Sequence, residues 1–192
     1  AYPSNGADLK GLLKAAYYDP NPVVFLEHKG LYWSKVKGTD DARVNEPSED
    51  YMLPFGKANI VQEVWEQETT ETMSIITYGM GVHWALNASA DIKNQVEIID
   101  LRTLYPLDEE AIIKSVRKTK KCLVVTEEPT NNSFARSLAG LIQEKCFKNL
   151  DAPVMVIGSE NMPAIPLNST LEFTMIPNVD KVKAKIEELL NY

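Results

Sequence analysis

The chain has 192 residues, of which 44% are hydrophobic, and its 27 acidic and 20 basic side chains give a net charge of -7. This size allows one good core or a core plus part of a second, and the acidic balance argues against a nucleic-acid partner, which needs a basic surface. No run approaches the roughly 20 apolar residues of a membrane span, and Cys122 and Cys146 show no metal-ligand spacing. We expect a cytoplasmic protein without membrane or nucleic-acid partners.

The first 29 residues predict one helix and one strand. The helix is expected at 8–18, where apolar residues share one face, and Asp19-Pro20-Asn21-Pro22 ends it. A buried strand is expected at 23–26. Because one helix and one strand cannot bury their own apolar faces, we expect residues 1–29 to be the tail of a larger domain.

Residues 30–54 contain charges, glycines and prolines but few periodic apolar positions. A structureless stretch of this length is unusual inside a compact domain. It is therefore predicted to be a linker, which places a second domain at 55–192.

Strands and helices alternate through the second domain. An edge strand is predicted at 58–64, an acidic turn at 66–71, buried strands at 72–78, 96–99, 122–125 and 154–157, and helices starting at 82, 108, 133 and 179, with a proline-rich loop at 161–177. Crossovers of about one helix each imply parallel strands. The predicted fold class is therefore α/β, a doubly wound, three-layer α/β/α domain with a mostly parallel sheet.

The stretch 72–106 contains the turn where a parallel α/β domain usually places a ligand. Gly79 and Gly81 follow a strand and Asp100 ends the next strand, as in a dinucleotide fingerprint, but Trp84 replaces the third glycine. An indole there would push the helix away from the sheet. A tight turn is the favoured interpretation, and a self-sufficient nucleotide-binding domain using Gly79, Gly81 and Asp100 is the alternative.

Other catalytic patterns are missing from the sequence. His28 and His83 lie in different predicted units, so no His/Cys cluster suits zinc, and no G-x-S-x-G elbow indicates a serine hydrolase. His83 is interpreted as a structural or interface histidine. Glu127 and Glu128 end a buried strand at the same sheet edge as Asp100, where helix amides or a basic partner could hold them.

Several blocks together resemble one family. They are 10–16 (KGLLKAA), 19–29 (DPNPVVFLEHK), the Tyr78-Gly79 turn with His83, 99–108 (IDLRTLYPLD), Glu127 with Pro129, and 171–179. The sequence resembles the C-terminal part of the beta subunit, or beta half, of the thiamine-diphosphate-dependent 2-oxo acid dehydrogenases. These are the decarboxylating components of the pyruvate and branched-chain (2-oxoisovalerate) multienzyme complexes, in the transketolase superfamily. The resemblance spans nearly the whole chain, and the block at 99–108 is its specific motif.

The resemblance implies an oxidoreductase parent that uses thiamine diphosphate and Mg. It assigns residues 1–29 to the end of a pyrimidine-binding domain and 55–192 to a transketolase-like C-terminal domain. The family's cofactor-activating glutamate and catalytic histidines would lie outside this sequence, and His28 stands at a position that the family varies. No catalytic, cofactor-binding or metal residue is therefore expected here, and the chain alone is expected to be inactive.

The resemblance also implies partners: the thiamine-binding alpha subunit or half, a second beta copy, and the small basic binding domain of the dihydrolipoyl acyltransferase core. The candidate interface residues are Glu127, Glu128, Asp100, Arg102 and His83. One departure lies at 126–133 (TEEPTNNS), where many relatives read HEAP followed by TGG. Asparagine is the best substitute for glycine in a left-handed turn, so a loop of altered shape is expected there.

Overall fold

The core of the protein is a five-stranded sheet. The structure, a computed structural model, describes residues 1–33, 35–65 and 71–192. In spatial order the strands are β1 (Asn59–Gln62), β3 (Val96–Asp100), β2 (Met73–Thr77), β4 (Cys122–Pro129) and β5 (Met155–Ser159). Only β1 pairs antiparallel, at the edge, and the other pairings are parallel. The predicted α/β class with a mostly parallel sheet is confirmed.

Four helices cover the two faces of this sheet: α2 (Met80–Ala88) and α6 (Val179–Leu190) lie on one face, and α3 (Glu109–Thr119) and α4 (Phe134–Cys146) on the other. The described chain also contains α1 (Gly6–Tyr18) and α5 (Ser169–Met175). Alternate strand residues point to opposite faces: Ile75 packs with α2 and α6, whereas Ile76 packs with α3 and α4. The predicted three-layer arrangement follows from this alternation.

Side-chain caps fix where three of the helices begin. Asp108, Ser133 and Asn178 each accept a hydrogen bond from a first-turn amide of α3, α4 and α6, respectively. The predicted starts of these helices are confirmed. The predicted loop at 161–177 instead contains α5, which Asn168 caps. The apolar residues of α5 are mostly exposed. Without a buried face, the helix leaves no periodic apolar pattern in the sequence, which is why it was not predicted.

The predicted buried strand at 23–26 is wrong. This segment is extended but lies outside the sheet, with Val24 71% and Leu26 46% exposed. Its backbone pairs with Ala1, through Ala1 N to Val24 O at 2.8 Å and Leu26 N to Ala1 O at 2.9 Å. The apolar composition predicts burial, but among the described residues no strand of the sheet pairs with this segment.

Residues 30–54 are largely irregular, with short 3-10 helices at Lys29–Leu31 and Asp40–Ala42. They pack along α1, where Leu53 N donates to Gly11 O at 3.1 Å, and reach α2, where Asn87 Nδ2 donates to Gly38 O at 2.8 Å. The division into 1–29, 30–54 and 55–192 stays a prediction. The acidic turn expected at 66–71 lies, apart from Glu71, outside the described residues.

Candidate functional site at the carboxyl edge of the sheet

The turn between β2 and α2 depends on two glycines. Gly79 adopts a φ of +54°, and a Cβ placed on it would lie 2.5 Å from the Tyr2 ring. A Cβ on Gly81 would collide with Thr77 Oγ1. The interpretation as a tight turn is therefore confirmed, since Gly79 provides a left-handed backbone and Gly81 a close helix-to-strand approach.

The sequence analysis predicted that Trp84 would push α2 away from the sheet, and this prediction is wrong. Its indole is 6% exposed and belongs to the core that α2 and α6 form on one face of the sheet. The close approach of helix to strand is made one turn earlier, at Gly81. The reason given for rejecting a dinucleotide is therefore wrong, and a different reason emerges from Asp100 and Tyr2.

Asp100 ends β3 and is fully buried. Its Oδ2 accepts a hydrogen bond from Ser4 Oγ at 2.5 Å, and its Oδ1 accepts one from Arg102 N at 3.0 Å. Burial raises the pKa of Asp100 to about 6, while the bonds from Ser4 and Arg102 oppose this rise because they stabilise the carboxylate. Asp100 thus faces the start of the chain rather than an open crevice.

Arg102 fastens the end of β3 to α1. It has a φ of +58°, and its Nε and Nη2 donate to the two carboxylate oxygens of Asp8, each at 2.8 Å. The side chains are 15% and 3% exposed, respectively. Fork-to-fork pairing of this kind adds geometric specificity to the charge attraction. In addition, Tyr2 N donates to Arg102 O at 2.8 Å.

His83 lies in the first turn of α2 and is 3% exposed. Its Nε2 is 2.8 Å from Ser4 O, and because a carbonyl only accepts, Nε2 is the nitrogen that donates the proton. Nδ1 has no partner among the described residues. Burial lowers the pKa of His83, which is consistent with a neutral imidazole that holds the N-terminal backbone.

Glu127 contacts two side chains of the N-terminal segment. Its Oε1 is 3.2 Å from His28 Nε2, and its Oε2 accepts from the Tyr2 hydroxyl at 3.4 Å. The hydrogen bond to Glu127 raises the pKa of His28. Burial, and then the negative charge of Glu127, raise the pKa of Tyr2 to about 12. The Glu127 side chain keeps 33% exposure.

Glu128 is held by residues that follow β2 and begin α4. Its Oε1 accepts from the Tyr78 hydroxyl at 2.8 Å and from Ala135 N, in the first turn of α4, at 3.0 Å. The expectation that helix amides could hold these acids is confirmed for Glu128. In the loop between β4 and α4, Asn132 adopts a φ of +55°, so asparagine does supply a left-handed residue there.

The structure brings all five candidate interface residues to one edge of the sheet. Four of them contact the N-terminal segment, which we define as residues 1–28; Glu128 does so only indirectly, through Tyr78, whose ring lies 5.5 Å from that of Tyr2. The partners Tyr2, Ser4, Asp8 and His28 were missed by sequence reasoning, because no local pattern links residues about 80 to 125 positions apart. In this structure the edge is therefore a contact within the chain.

A nucleotide or thiamine diphosphate does not fit at this edge. The Tyr2 ring occupies the space above Gly79 that a diphosphate would need, and Asp100 is already bonded to Ser4. Across 1–33, 35–65 and 71–192, no group of three or more His, Cys, Asp or Glu side chains could hold a metal ion. In the same ranges, no helix is long and apolar enough to cross a bilayer.

The chain is similar to a known protein family and to several characterised proteins. A family model described as "Transketolase, C-terminal domain" matches residues 56–182. The 2-oxoisovalerate dehydrogenase subunit beta of Bacillus subtilis is 40% identical, over 99% of this chain and 55% of that protein. The pyruvate dehydrogenase E1 component subunit beta of Rhizobium meliloti is 37% identical, over 94% and 37%.

The acetoin:2,6-dichlorophenolindophenol oxidoreductase subunit beta of Cupriavidus necator is 35% identical, over 95% of this chain and 50% of that protein. The chain thus spans about half the length, or less, of these curated relatives. Among solved structures, a split-gene transketolase, described as an inactive β4 tetramer, superposes with a TM-score of 0.71 at 18% identity, over 98% of this chain and 56% of that one. That likeness concerns the fold alone.

Proposed function

The chain belongs to the transketolase C-terminal domain family, and from this premise we propose that it is the C-terminal part of a 2-oxo acid dehydrogenase beta subunit or beta half. In this proposal it serves subunit association and docking to an acyltransferase core, and it performs no chemistry alone. The names of its relatives support the oxidoreductase class: two are dehydrogenase beta subunits for 2-oxoisovalerate and pyruvate. A third is named for acetoin, so the substrate is left at the class of 2-oxo acids.

The parent reaction would be oxidative decarboxylation of the 2-oxo acid followed by acyl transfer to a lipoyl group. Thiamine diphosphate with Mg would supply the electron sink for the decarboxylation. Neither group fits the described carboxyl edge, so we assign both to other parts of the parent. The contribution of this chain is then to position and to associate.

The observation that carries this proposal is the closure of the carboxyl edge. Parallel α/β domains bind ligands at that edge, yet here the N-terminal segment fills it through Ser4 on Asp100 and Asp8 on Arg102. An edge closed by buried polar contacts is suited to holding two parts of a polypeptide in a fixed orientation. We therefore assign the five interface candidates first to this internal contact.

We also propose that residues 1–29 end a pyrimidine-binding domain. One side of α1 exposes Leu13 (45%) and Tyr17 (82%), which lie one turn apart, and the adjacent extended segment exposes Val24 and Leu26. The rest of such a domain would cover this apolar surface. Hydrogen exchange on a longer chain tests this: the Val24 amide should become protected, and unchanged exchange would contradict the assignment.

The proposed partners are an alpha subunit or half, a second beta copy, and the basic binding domain of an acyltransferase. The net charge of -7 suits that basic domain. Glu127 and Glu128 are both half-buried, and both carboxylates already have partners in the chain. A docking partner would have to share or replace those contacts.

Calorimetry tests the non-catalytic role. Titration of the chain with thiamine diphosphate and Mg should give no binding heat, and clear micromolar binding would overturn the proposal. An NMR titration with NAD tests the nucleotide alternative, for which the amides of 78–84 would have to shift. We expect them to stay in place, because Tyr2 covers the glycine turn.

A further inference from the structure

We propose that two copies of this chain associate through the exposed face of α4, as an antiparallel helix pair that crosses at Gly140. We define the α4 face by four exposed residues, Arg136, Gly140, Glu144 and Phe147, which recur every three or four positions and therefore share one side of the helix. The inference rests on the association with a second beta copy proposed above, and it adds the surface that makes this contact.

Gly140 is not required by the packing of its own chain. It lies in the middle of α4 and is exposed. Glycine is, after proline, the least favourable residue in a helix interior. A Cβ placed on Gly140 would meet no atom within 4 Å, unlike a Cβ on Gly79 or Gly81. A glycine on an outer helix face allows another backbone to approach closely, which makes Gly140 a suitable crossing point for two helices.

Arg136 and Glu144 lie four residues before and four residues after this crossing point. Their positions are about 12 Å apart along the helix axis, and their side chains do not pair with each other. Within 1–33, 35–65 and 71–192, neither side chain forms an ion pair with any other residue. Both charges are therefore available to a partner.

The order of these charges identifies the partner as a second copy of the chain. A two-fold axis at Gly140 places Arg136 of each copy opposite Glu144 of the other, so that two ion pairs form at once. A parallel pair in the same register would instead place like charges opposite each other. The α4 face is thus complementary to its own antiparallel copy, and such complementarity fixes the orientation of an interface.

Phe147 adds apolar area at the end of the α4 face. It is 71% exposed and begins the 3-10 turn that follows α4. In the antiparallel pair it lies beside the start of the partner copy's α4. Aromatic residues are enriched in interfaces. A contact between two single helices is smaller than a standard interface of about 800 Å² per partner, so we expect a weak dimer that forms only at high concentration.

Sedimentation velocity measures this association. The wild-type chain is compared from about 5 to 500 µM, since dimerisation follows concentration by mass action, in about 50 mM salt, where exposed ion pairs are only partly screened. We expect a monomer at the low end and a growing dimer fraction at the high end. A chain that remains monomeric at every concentration would overturn the proposal.

Charge exchange tests the two ion pairs. Arg136→Glu and Glu144→Arg should each weaken the dimer about tenfold or more, because each variant places like charges opposite each other. The double variant R136E/E144R should restore the dimer. An equimolar mixture of the two single variants should also form dimers, since one carries two acids on the α4 face and the other carries two arginines. A general loss of stability would give neither recovery.

Gly140→Gln tests the crossing point. It should abolish the dimer, while the dilute chain should unfold at the same or a higher temperature because glutamine is a good helix former. The control is Lys183→Glu, an exposed cation on α6, which changes the net charge as Arg136→Glu does and should leave the dimer intact. A dimer that persists in every α4 variant would refute the α4 face but not the association with a second copy. Micromolar binding of thiamine diphosphate would overturn the proposed function without altering this dimer.

Discussion

Asp8 and Arg102 form a bidentate ion pair across 94 positions of sequence, with both hydrogen bonds 2.8 Å long. The pair joins the first turn of α1 to the residue that lies two positions beyond the end of β3. Both side chains are mostly buried. When one partner is removed, water therefore cannot fully solvate the charge of the other. The contact between the N-terminal segment and the sheet therefore depends on both members of the pair.

The first prediction is that Arg102→Met destabilises the chain by about 3 kcal/mol, because it leaves the Asp8 carboxylate buried without its cation. Urea unfolding measures this loss. The matched control is Lys145→Met, which removes one member of a surface pair with Glu109 and should cause no measurable change. If Arg102→Met unfolds at the wild-type urea concentration, the ion pair does not fasten the segment.

The second prediction concerns Gly79 and Gly81. Gly79→Ala should cost about 1–3 kcal/mol, because alanine resists a positive φ and its Cβ would meet the Tyr2 ring. Gly81→Ala should cost at least as much, since its Cβ would collide with Thr77. At Gly140, in α4, an added Cβ would have no neighbouring atom within 4 Å, so Gly140→Ala should stabilise by about 0.5–1 kcal/mol. Thermal unfolding of the three variants decides the point; equal effects at all three positions would refute it.

The third prediction is a split between the two histidines, whose ordinary pKa is 6.5. The His28 pKa is raised by Glu127, so the stability from this pair is complete below pH 6.5 and is lost as the pH rises through the folded pKa. The His83 pKa is lowered by burial, so the stability gained by burying the neutral ring is complete above pH 6.5 and is lost as the pH falls through the folded pKa, even though the hydrogen bond to Ser4 favours the charged form.

NMR of the two imidazoles measures this split directly. His28 should titrate above 6.5 and His83 below it, and Glu127→Gln should bring the His28 value down without a comparable change at His83. Coincident titrations in the wild type would show that the two contacts do not act in this way.

The fourth prediction is that Asp100 titrates near pH 6, well above the ordinary aspartate value of 3.8, because it is fully buried. Since the folded pKa is raised, ionisation of Asp100 costs stability, and this cost grows as the pH rises from 3.8 to about 6. Ser4→Ala should raise the pKa of Asp100 further, because the Ser4 hydroxyl stabilises the carboxylate. Carboxyl-carbon NMR of both proteins gives the answer; an unshifted value near 3.8 would contradict it.

The fifth prediction tests docking. Joint charge reversal, Glu127→Lys with Glu128→Lys, should weaken binding of an acyltransferase binding domain about tenfold at low salt, with a smaller effect as salt rises. Because both acids also have internal partners, the unfolding of the free variant is measured alongside. Glu144→Lys, an exposed acid on α4, is the control. Equal affinity in both variants would place the docking surface elsewhere.

Local signals explain how much of the fold the sequence predicted. Alternating apolar residues and the capping residues Asp108, Ser133 and Asn178 act within a few positions, so they identified the strands and three helix starts. The exposed helix α5 lacked a buried face and was missed. The segment at 23–26 had an apolar composition but no neighbouring strand, and burial depends on neighbours that a local pattern does not contain.

The candidate site, like the fold, could be predicted from the sequence only in part. Parallel strands end at a common edge, which is why Asp100, Arg102 and Glu127 could be grouped from sequence. What covers that edge could not be predicted, since Ser4 and Tyr2 have no motif and meet their partners only in the folded chain.

The pairing of Asp8 with Arg102 has a consequence for synthesis of the chain. Residue 8 leaves the ribosome 94 positions ahead of its partner, which at about 5–20 residues per second means a wait of roughly 5–20 seconds. During that interval neither this ion pair nor the hydrogen bond from Ser4 to Asp100 can form. The attachment of the N-terminal segment to the sheet is therefore made only after β3 has emerged.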